Sequence, residues 1–461
     1  MRNHRLTGDD EVQVEQQGGG EVGEPPPRPA HPVGFLQGIE IDPWGVEQRS
    51  HGFEPLRAQS IAPIMGLWVR ECKTPGDTAA EGAIVPPMNG LQIDKSTGDT
   101  CVVVAMSGGV DSSTTAALMV EQGFKVIGVT LQLYDVGQAA GRKGACCAGQ
   151  DIHDARRVAE TLEIPHYVLD FESRFRTSVI DDFADSYLAG ETPIPCVRCN
   201  QTVKFNDLLG IAKDLGADAL ATGHYVRRRM GEAGAELHRA ADAGRDQSYF
   251  LFATTRPQLE FLRFPLGEMD KARTREVADR FRLPVAAKPD SQDICFVPDG
   301  SYARVLEGLR PGAWEPGDIV DGDGRVLGRH DGIVHFTVGQ RRGLQLGGDH
   351  GALYVTRMEP DTQRVVVGPL EALLRDRLAV REVNWLGAEA LPADGIAVTV
   401  KLRSAQDPVL ATVYGRPDDE AEVVLDEAQS AIAPGQACVF YAGEHVLGGG
   451  WIKREDGLRA A

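Results

Sequence analysis

The sequence is poor in cysteine and in positive charge, and it has no long apolar run. Eight cysteines in 461 residues cannot make a disulfide scaffold. They are expected to sit reduced in a cytoplasmic protein, either chemically employed or packed as small apolar side chains. No apolar stretch approaches the roughly 20 residues that a membrane span needs; the run 61–69 is among the longest near the start and falls well short. Charge across residues 1–10 leaves no room there for a secretory apolar segment. A net charge of −19 excludes a generally basic nucleic-acid surface. It leaves local clusters, Arg227-Arg228-Arg229, Arg341-Arg342 and Lys401 with Arg403, whose default reading is a solvated face. Two common nucleotide loops are missing from its glycine string at 107–113, which has neither GxxxxGK[ST] nor GxGxxG, and the chain carries no internal repeat.

What is present falls into four stretches. Residues 1–95 are rich in Gly, Pro and acid, including Gly18-Gly19-Gly20 and Pro25-Pro26-Pro27. Such a segment buries too little apolar surface to offset its ordering entropy, so a disordered leader is expected there; Met88, just ahead of the first strand-like run, is a candidate alternative start. Over 99–303, strand-like runs at 102–105, 126–133, 167–169 and 219–221 alternate with helical patterns at 151–162, 173–188 and 204–215. That alternation predicts an α/β domain with a parallel sheet covered on both faces and ligands at the strands' C-terminal ends. Over 304–373, Pro-Gly and Gly-Asp-Gly breaks cut the chain into a small β-rich domain. Over 376–455 the pattern is strands alone, at 397–402, 409–413, 422–425 and 438–441, which predicts a C-terminal antiparallel β-barrel.

The most specific string closes the first strand-like run. Ser107-Gly108-Gly109-Val110-Asp111-Ser112-Ser113 joins that run, 101–106, to a helix-like stretch at 114–121. Strand, glycine turn and helix make an anion cradle, because the turn's N–H groups and the positive end of the helix face one anion together. Gly108 and Gly109 admit phosphate oxygens where a Cβ would block them. Ser112 and Ser113 are expected to cap the helix and donate hydroxyls, and Asp111 to orient Mg2+. The string resembles the PP-loop of the ATP pyrophosphatases, which activate a carbonyl oxygen as an adenylate and release pyrophosphate.

Three cysteine sites stand apart. Cys196 and Cys199 form a CxxC, Cys295 lies alone in the segment 290–296, and Cys146-Cys147 are vicinal in a Gly-rich loop. The thiolate is the reactive form, and CxxC geometry, a nearby cation or a helix N-terminus lowers a thiol's pKa. Arg198 and a helix opening near Thr202 predict such a lowering for Cys199. Spacing alone leaves zinc open at the CxxC, with Cys146 and Cys147 as further ligands, and leaves Cys295 open as a buried apolar thiol. With no second CxxC and no HxxxH, no tightly bound metal is expected. Cys101 and Cys438, in strand-like apolar runs, are expected in cores; Cys72 lies in the leader. An adenylating loop beside reactive cysteines suggests replacement of a carbonyl oxygen by sulfur. A covalent carrier would bring the sulfur, and a second cysteine would release it as a disulfide forms.

Further strings accompany the loop: TPxPCVRCN at 192–200 with Lys204-Phe205, ATGHY at 221–225, DQSYFL at 246–251 and DSQDICF at 290–296. TVGQRRGL at 337–344, PGQACVFY at 434–441 and LGGG at 447–450 complete the set. In that order, from about 99 to 452, the chain resembles the bacterial tRNA-specific 2-thiouridylase family. The resemblance implies a PP-loop (adenine nucleotide α-hydrolase-like) domain at 99–303, a central domain at 304–373 and a tRNA-binding barrel at 376–455. It implies an enzyme that converts the C2 oxygen of the wobble uridine to sulfur in tRNAs for Lys, Glu and Gln. ATP is the implied co-substrate, with Mg2+, and the partners are tRNA and a persulfide donor, either a cysteine desulfurase or a sulfur-relay protein. Cys199 matches the family's nucleophile and Cys295 its persulfide carrier. Ala105, Met106, Ser107, Gly108, Gly109, Val110, Asp111, Ser112, Leu131 and Gly223 match ATP-contacting positions. His224, Arg245, Asp246, Gln247, Arg403, Ser404 and Gln436 match tRNA-contacting positions, while Ile194, Pro195 and Cys196 match the segment facing the target base. One departure stands out. Cys196 occupies a place where some members carry an Asp assigned to proton transfer, which leaves the general acid/base unassigned and opens a Cys196–Cys199 disulfide. Cys146 and Cys147 take no role from the resemblance. A monomeric cytoplasmic enzyme is the expected form; the alternatives are another PP-loop ligase or amidotransferase, or a zinc-stabilised RNA-binding module on Cys146, Cys147, Cys196 and Cys199.

Overall fold

Residues 90–134, 147–290, 294–297, 302–347 and 351–454 are described by the structure, a computed structural model of the chain. The leader up to residue 89, with Cys72, and the loop residue Cys146 lie outside them. β1 (Cys101–Ala105), β2 (Lys125–Gln132), β3 (His166–Asp170) and β4 (Ala219–Ala221) begin the fold. A hairpin, β5 (Val226–Gly231) and β6 (Gly234–Arg239), then precedes β7 (Leu262–Arg263). The sheet runs in the order β3-β2-β1-β4-β7, every pair parallel. Val103 packs into one core and Val102 and Val104 into another, so β1 is buried on both faces and reads as an unbroken apolar run. The strand order reverses between β1 and β4, and a crevice opens at their C-terminal ends.

α1 (Val110–Glu121) and α2 (Cys147–Thr161) follow β1 and β2. Two helices are each built of three consecutive parts. α3 comprises Glu172–Phe175, Arg176–Ile180 and Asp181–Leu188; α4 comprises Pro195–Arg198, Cys199–Leu208 and Leu209–Asp214. The middle part of each is π-helical, a geometry that clusters at functional sites. α5 (Arg256–Phe261) and α6 (Lys271–Arg280) complete the domain's described helices.

Two helix starts differ from expectation. α1 begins inside the glycine motif at Val110, with Gly109 as its N-cap, and neither serine caps it. Ser113 Oγ instead donates back to the Gly109 carbonyl at 2.8 Å. α4 begins at Pro195, whose fixed φ suits the first helical position. Both first turns carry polar residues or the CxxC instead of periodic apolar ones, so periodicity found each helix late.

β8 (Gly317–Val320), β9 (Val326–His330), β10 (Tyr354–Glu359) and β11 (Arg364–Gly368) form a small sheet in the order β10-β11-β8-β9, with β8 and β11 parallel. The C-terminal strands are β12 (Arg375–Trp385), β13 (Ile396–Lys401), β14 (Val409–Arg416), β15 (Glu420–Gln429), β16 (Ala437–Ala442) and β17 (His445–Ile452). They run in the order β12-β15-β14-β13-β16-β17 and close through β12–β17 into an antiparallel barrel. The α/β fold with a terminal barrel is the one the sequence predicts. Cys101 and Cys438 are both 0% exposed, as expected of core thiols.

The β5–β6 hairpin was not foreseen. It extends the barrel sheet, because β6 pairs antiparallel with β17. Its residues Val226 and Leu237 share one core with Phe252 and with Val439, Tyr441 and Trp451 of the barrel. Burying side chains such as Phe252 and Val439 contributes about 1.5–3 kcal/mol each, so the two domains are joined by apolar packing as well as by the ladder. The cluster Arg227-Arg228-Arg229 lies on β5 and divides: Arg227 and Arg228 turn inward, while Arg229 stays exposed. Arg227 pairs with Glu444 at 2.7 Å, Arg228 with Glu260 at 3.3 Å and Arg229 with Glu268 at 3.5 Å. Among the described residues no helix is long and apolar enough to cross a membrane.

Candidate active site

β1 delivers Ala105 and Met106 to the crevice, and the glycine turn follows at once. Gly108 has φ +74°, and a Cβ there would fall 2.1 Å from the Asp151 carbonyl oxygen of α2. Only glycine permits both the left-handed backbone and that approach. Ser112 Oγ accepts the Ser107 N–H at 3.1 Å, which folds the loop over the start of α1. Gly223, just past β4, is equally confined: a Cβ would lie 2.8 Å from the Asp111 carbonyl carbon and the Ser112 nitrogen. Loop and strand end are therefore locked together. Leu131 sits at the C-terminal end of β2, on the same rim.

Two lysines that no local motif announced flank this cradle. Lys288 Nζ donates to the Gly108 carbonyl at 3.0 Å, to Asp151 at 2.7 Å and to Asp154 at 2.6 Å. Lys271, at the start of α6, bridges Asp111 and Asp290, both at 2.7 Å. Asp111 also accepts the Tyr225 hydroxyl at 2.8 Å. Burial works against the Asp290 carboxylate, but Lys271 and then Arg245, at 2.8 Å, outweigh it and hold the group below the usual range. The result is a hydrogen-bonded wall of interleaved cations and carboxylates beside backbone shaped for phosphate.

The cysteines occupy the adjoining end. Cys199 is buried in the second turn of α4, away from the helix N-terminus, and is a free thiol. The Cys196–Cys199 disulfide that the spacing allows is thus not formed. The expected lowering of its pKa is overturned. Burial pushes the Cys199 thiol up, the Lys204 ammonium works against that, and the Cys196 thiol adds to it. Arg198, expected to face the thiol, is turned the other way. It pairs with Glu382 at 2.7 Å, lies 3.6 Å from Asp182 and stacks 4.6 Å over the Trp451 ring. Glu382 has φ +52° and lies within an irregular stretch of the β12–β17 ladder, a bulge that aims its carboxylate at α4.

Cys295 is exposed as a residue, but its thiol is lined by protein; that desolvation, then the Cys199 and Cys196 thiols, push it up to about 12. The structure therefore brings Cys196, Cys199, Cys295 and Lys204 into one electrostatic neighbourhood. Cys147 opens α2, and neither its side chain nor Cys146 is among the described atoms, so the zinc reading on these four cysteines lies outside the described residues.

His224 ties the two ends together. It follows Gly223, its Nδ1 lies 2.8 Å from the Thr222 hydroxyl, and its ring meets Phe205 of α4 edge-on at 5.7 Å. Burial, then Lys204, pushes its imidazole down to about 3. A neutral ring is available for stacking or hydrogen bonding, but it carries no charge for phosphate.

The remaining expected contacts divide. Arg403 and Ser404 are exposed on the barrel, and Arg245 is exposed at the crevice. Asp246 is an exception, with its side chain 2% exposed and saturated by Arg239, Ser248 and the Ala240 N–H. It shapes the turn and is closed to a direct side-chain contact with RNA. Gln247 accepts the Tyr225 N–H at 2.8 Å. Gln436 donates to the Thr192 carbonyl at 2.8 Å, and a Cβ at Gly435 would meet Glu191 at 2.8 Å, so the barrel buttresses the segment leading to the CxxC. Ile194 and Pro195 are buried there, while Cys196 faces out. Among these groups, Lys204 and Tyr225 lie within motifs legible in the sequence; Lys271 and Lys288 needed the fold.

A doubly wound parallel sheet with a phosphate cradle at its switch point and thiols alongside defines an ATP-using enzyme of the PP-loop class. Residues 100–299 match the tRNA methyl transferase HUP domain family, 307–369 the tRNA methyl transferase PRC-barrel domain family and 375–452 the aminomethyltransferase beta-barrel domain family. The tRNA-specific 2-thiouridylase MnmA of Rhodospirillum centenum is 65% identical over 376 residues, covering 80% of this chain and 95% of that protein. The protein of the same name from Paracoccus denitrificans is 61% identical over 373 residues, covering 80% and 96%. A 4-thiouridine synthetase–RNA complex with bound ATP is similar over 46% of this chain and 51% of that one, at 16% identity and a TM-score of 0.30, a likeness too slight to carry an argument. The chain belongs to the tRNA-specific 2-thiouridylase family.

Proposed function

We propose that the chain is a tRNA-uridine 2-sulfurtransferase acting on the wobble uridine of tRNAs for Lys, Glu and Gln. ATP binds across Ala105–Ser112, Leu131 and Gly223, and the C2 oxygen of the uridine attacks its α-phosphate, releasing pyrophosphate. Asp111 is the carboxylate placed to hold Mg2+, which would neutralise phosphate charge; its neighbour Lys271 offers the same service from protein. A persulfide on Cys295, loaded by a desulfurase or relay protein, then supplies sulfur. Its terminal sulfur bonds to C2, AMP leaves with the C–O electron pair, and Cys199 attacks the inner sulfur. That last step closes a Cys199–Cys295 disulfide, which a two-electron reductant reopens. The tRNA lies along Arg245, Gln247, Arg403, Ser404 and Gln436, with the base between His224 and the segment Ile194, Pro195 and Cys196. A single chain carries every group named, so a monomer suffices.

One observation supports this reading above the rest. The PP-loop packs on Gly223, His224 follows it and packs on Phe205, and the neighbouring Lys204 acts on both His224 and Cys199. Phosphate chemistry and sulfur chemistry thus share one continuous wall. The test is thiouridine formation on unmodified tRNA-Lys with ATP, Mg2+ and a persulfide donor, read by nucleoside chromatography. Product with wild type but not without ATP supports it. Product without ATP, or pyrophosphate release on a different acceptor only, overturns it.

A further inference from the structure

The seam between the hairpin and the barrel holds a cluster that the thiolation chemistry does not use. Glu236 and His238 alternate on β6 and so share one face of the sheet. His445, the first residue of β17, is the register partner of His238. The two imidazoles stack at 4.9 Å with an interplanar angle of 11°. Glu236 Oε2 lies 2.9 Å from His238 Nε2. One ligand atom from each of the three residues falls within 4.8 Å of the others. His445 Nε2 is buried with no hydrogen-bond partner.

That orphan nitrogen is the informative feature. A buried imidazole nitrogen ordinarily finds a donor or acceptor, and leaving it without one costs free energy. The carboxylate beside it is also placed with care. A Cβ at Gly231 would fall 1.8 Å from Glu236 Oε1, so the side chain uses space that only a glycine leaves open. The surroundings are mixed in sign. Arg256 is the cation that acts on His445, and its guanidinium is committed to the carbonyls of Ala233, Leu386 and Gly387. Burial, the largest influence, holds His445 below the ordinary imidazole range.

We propose that Glu236, His238 and His445 bind a divalent transition metal, best matched by Zn2+, and that the ion clips the hairpin of the nucleotide domain to the barrel. Two imidazoles and a carboxylate are borderline ligands that suit Zn2+, which takes them at about 2.0–2.2 Å and leaves a fourth position for water. The three ligand atoms already lie within 4.8 Å of one another, so small side-chain rotations suffice to close the set around the metal. Binding replaces the hydrogen bond between His238 and Glu236 and gives His445 Nε2 the partner it lacks. Sequence alone hid this site. Glu236 and His238 look like an ordinary strand alternation, and His445 lies more than two hundred residues further along the chain.

The test uses the full chain, stripped with chelator, reduced and then alkylated so that cysteine thiols cannot bind metal. Calorimetric titration with Zn2+ is compared for wild type, His445→Gln and Glu236→Gln, and Co2+ substitution reports the ligand type by absorption. We expect about one equivalent in wild type, a nitrogen–oxygen cobalt spectrum without a sulfur charge-transfer band, and at least about a tenfold weaker affinity in each variant. Glu236 and His445 are both partly exposed, and the two separate variants keep the test readable if one of them fails to fold. Wild type that takes up no Zn2+, or Zn2+ binding that both substitutions leave unchanged, overturns the proposal.

Discussion

The two ends of the cleft are built on opposite electrostatic plans. At the phosphate end, cations are drawn in and kept there: Lys271 and Lys288 sit among Asp111, Asp290, Asp151 and Asp154 within 3 Å of the glycine turn's own groups. At the sulfur end, the nearest arginine is led away. Arg198 is claimed by Glu382, Asp182 and Trp451, and both Cys199 and Cys295 are pushed up by burial. The difference follows from what each end must meet. Phosphate arrives charged, and preorganised donors stabilise it without reorganisation. A protonated thiol is a poor nucleophile and also a poor target for oxidants. The resting sulfur end is therefore quiet, and the Lys204 ammonium draws Cys199 the other way.

The largest effect that sharpens this contrast comes from the turn. Gly108→Ala forces a Cβ into the Asp151 carbonyl at a left-handed φ, and we expect strain of about 1–3 kcal/mol. Pyrophosphate release and thiouridine formation should both fall, by at least about a hundredfold, measured alongside the thermal midpoint. Lys271→Met comes next. Removing one preorganised charge should slow pyrophosphate release by about 10²-fold and leave thiol reactivity unchanged; equal loss of both would break the division between the ends.

A third expectation concerns pH. A thiol with a raised pKa stays protonated at neutrality, so its thiolate fraction climbs about tenfold per pH unit until the raised pKa is reached. Alkylation of Cys295 by iodoacetamide, read by peptide mass, should rise steadily from pH 7 to 10, since its thiol is pushed up to about 12. A plateau below pH 8 would show an activated thiolate and erase the contrast. The smallest effect belongs to Glu382→Gln. Its carboxylate is partly exposed, and breaking the pair with Arg198 should cost less than about 1 kcal/mol, seen as a small drop in thermal midpoint.

Legibility in the sequence followed the same divide. The glycine string announced the cradle because backbone geometry restricts residue choice locally, and Gly108 and Gly223 carry that restriction openly. The barrel was readable from its alternating strands, although β12 and β17 escaped: β12 is bulged at Glu382 and β17 is rich in glycine. The hairpin escaped because three consecutive arginines interrupt the apolar alternation of β5, and their partners Glu260, Glu268 and Glu444 are distant in sequence. The environment of the thiols was misjudged for a related reason. Proximity in sequence put Arg198 beside Cys199, whereas helix geometry points adjacent residues in different directions.

The central claim is that one cleft holds two separable half-reactions. Its most direct test is single-turnover pyrophosphate release from ATP with unmodified tRNA-Lys, comparing wild type with the double variant Cys199→Ser, Cys295→Ser. The account expects a pyrophosphate burst of similar size from both and thiouridine from wild type alone. Loss of the burst in the folded double variant, or thiouridine formed without either cysteine, would contradict it.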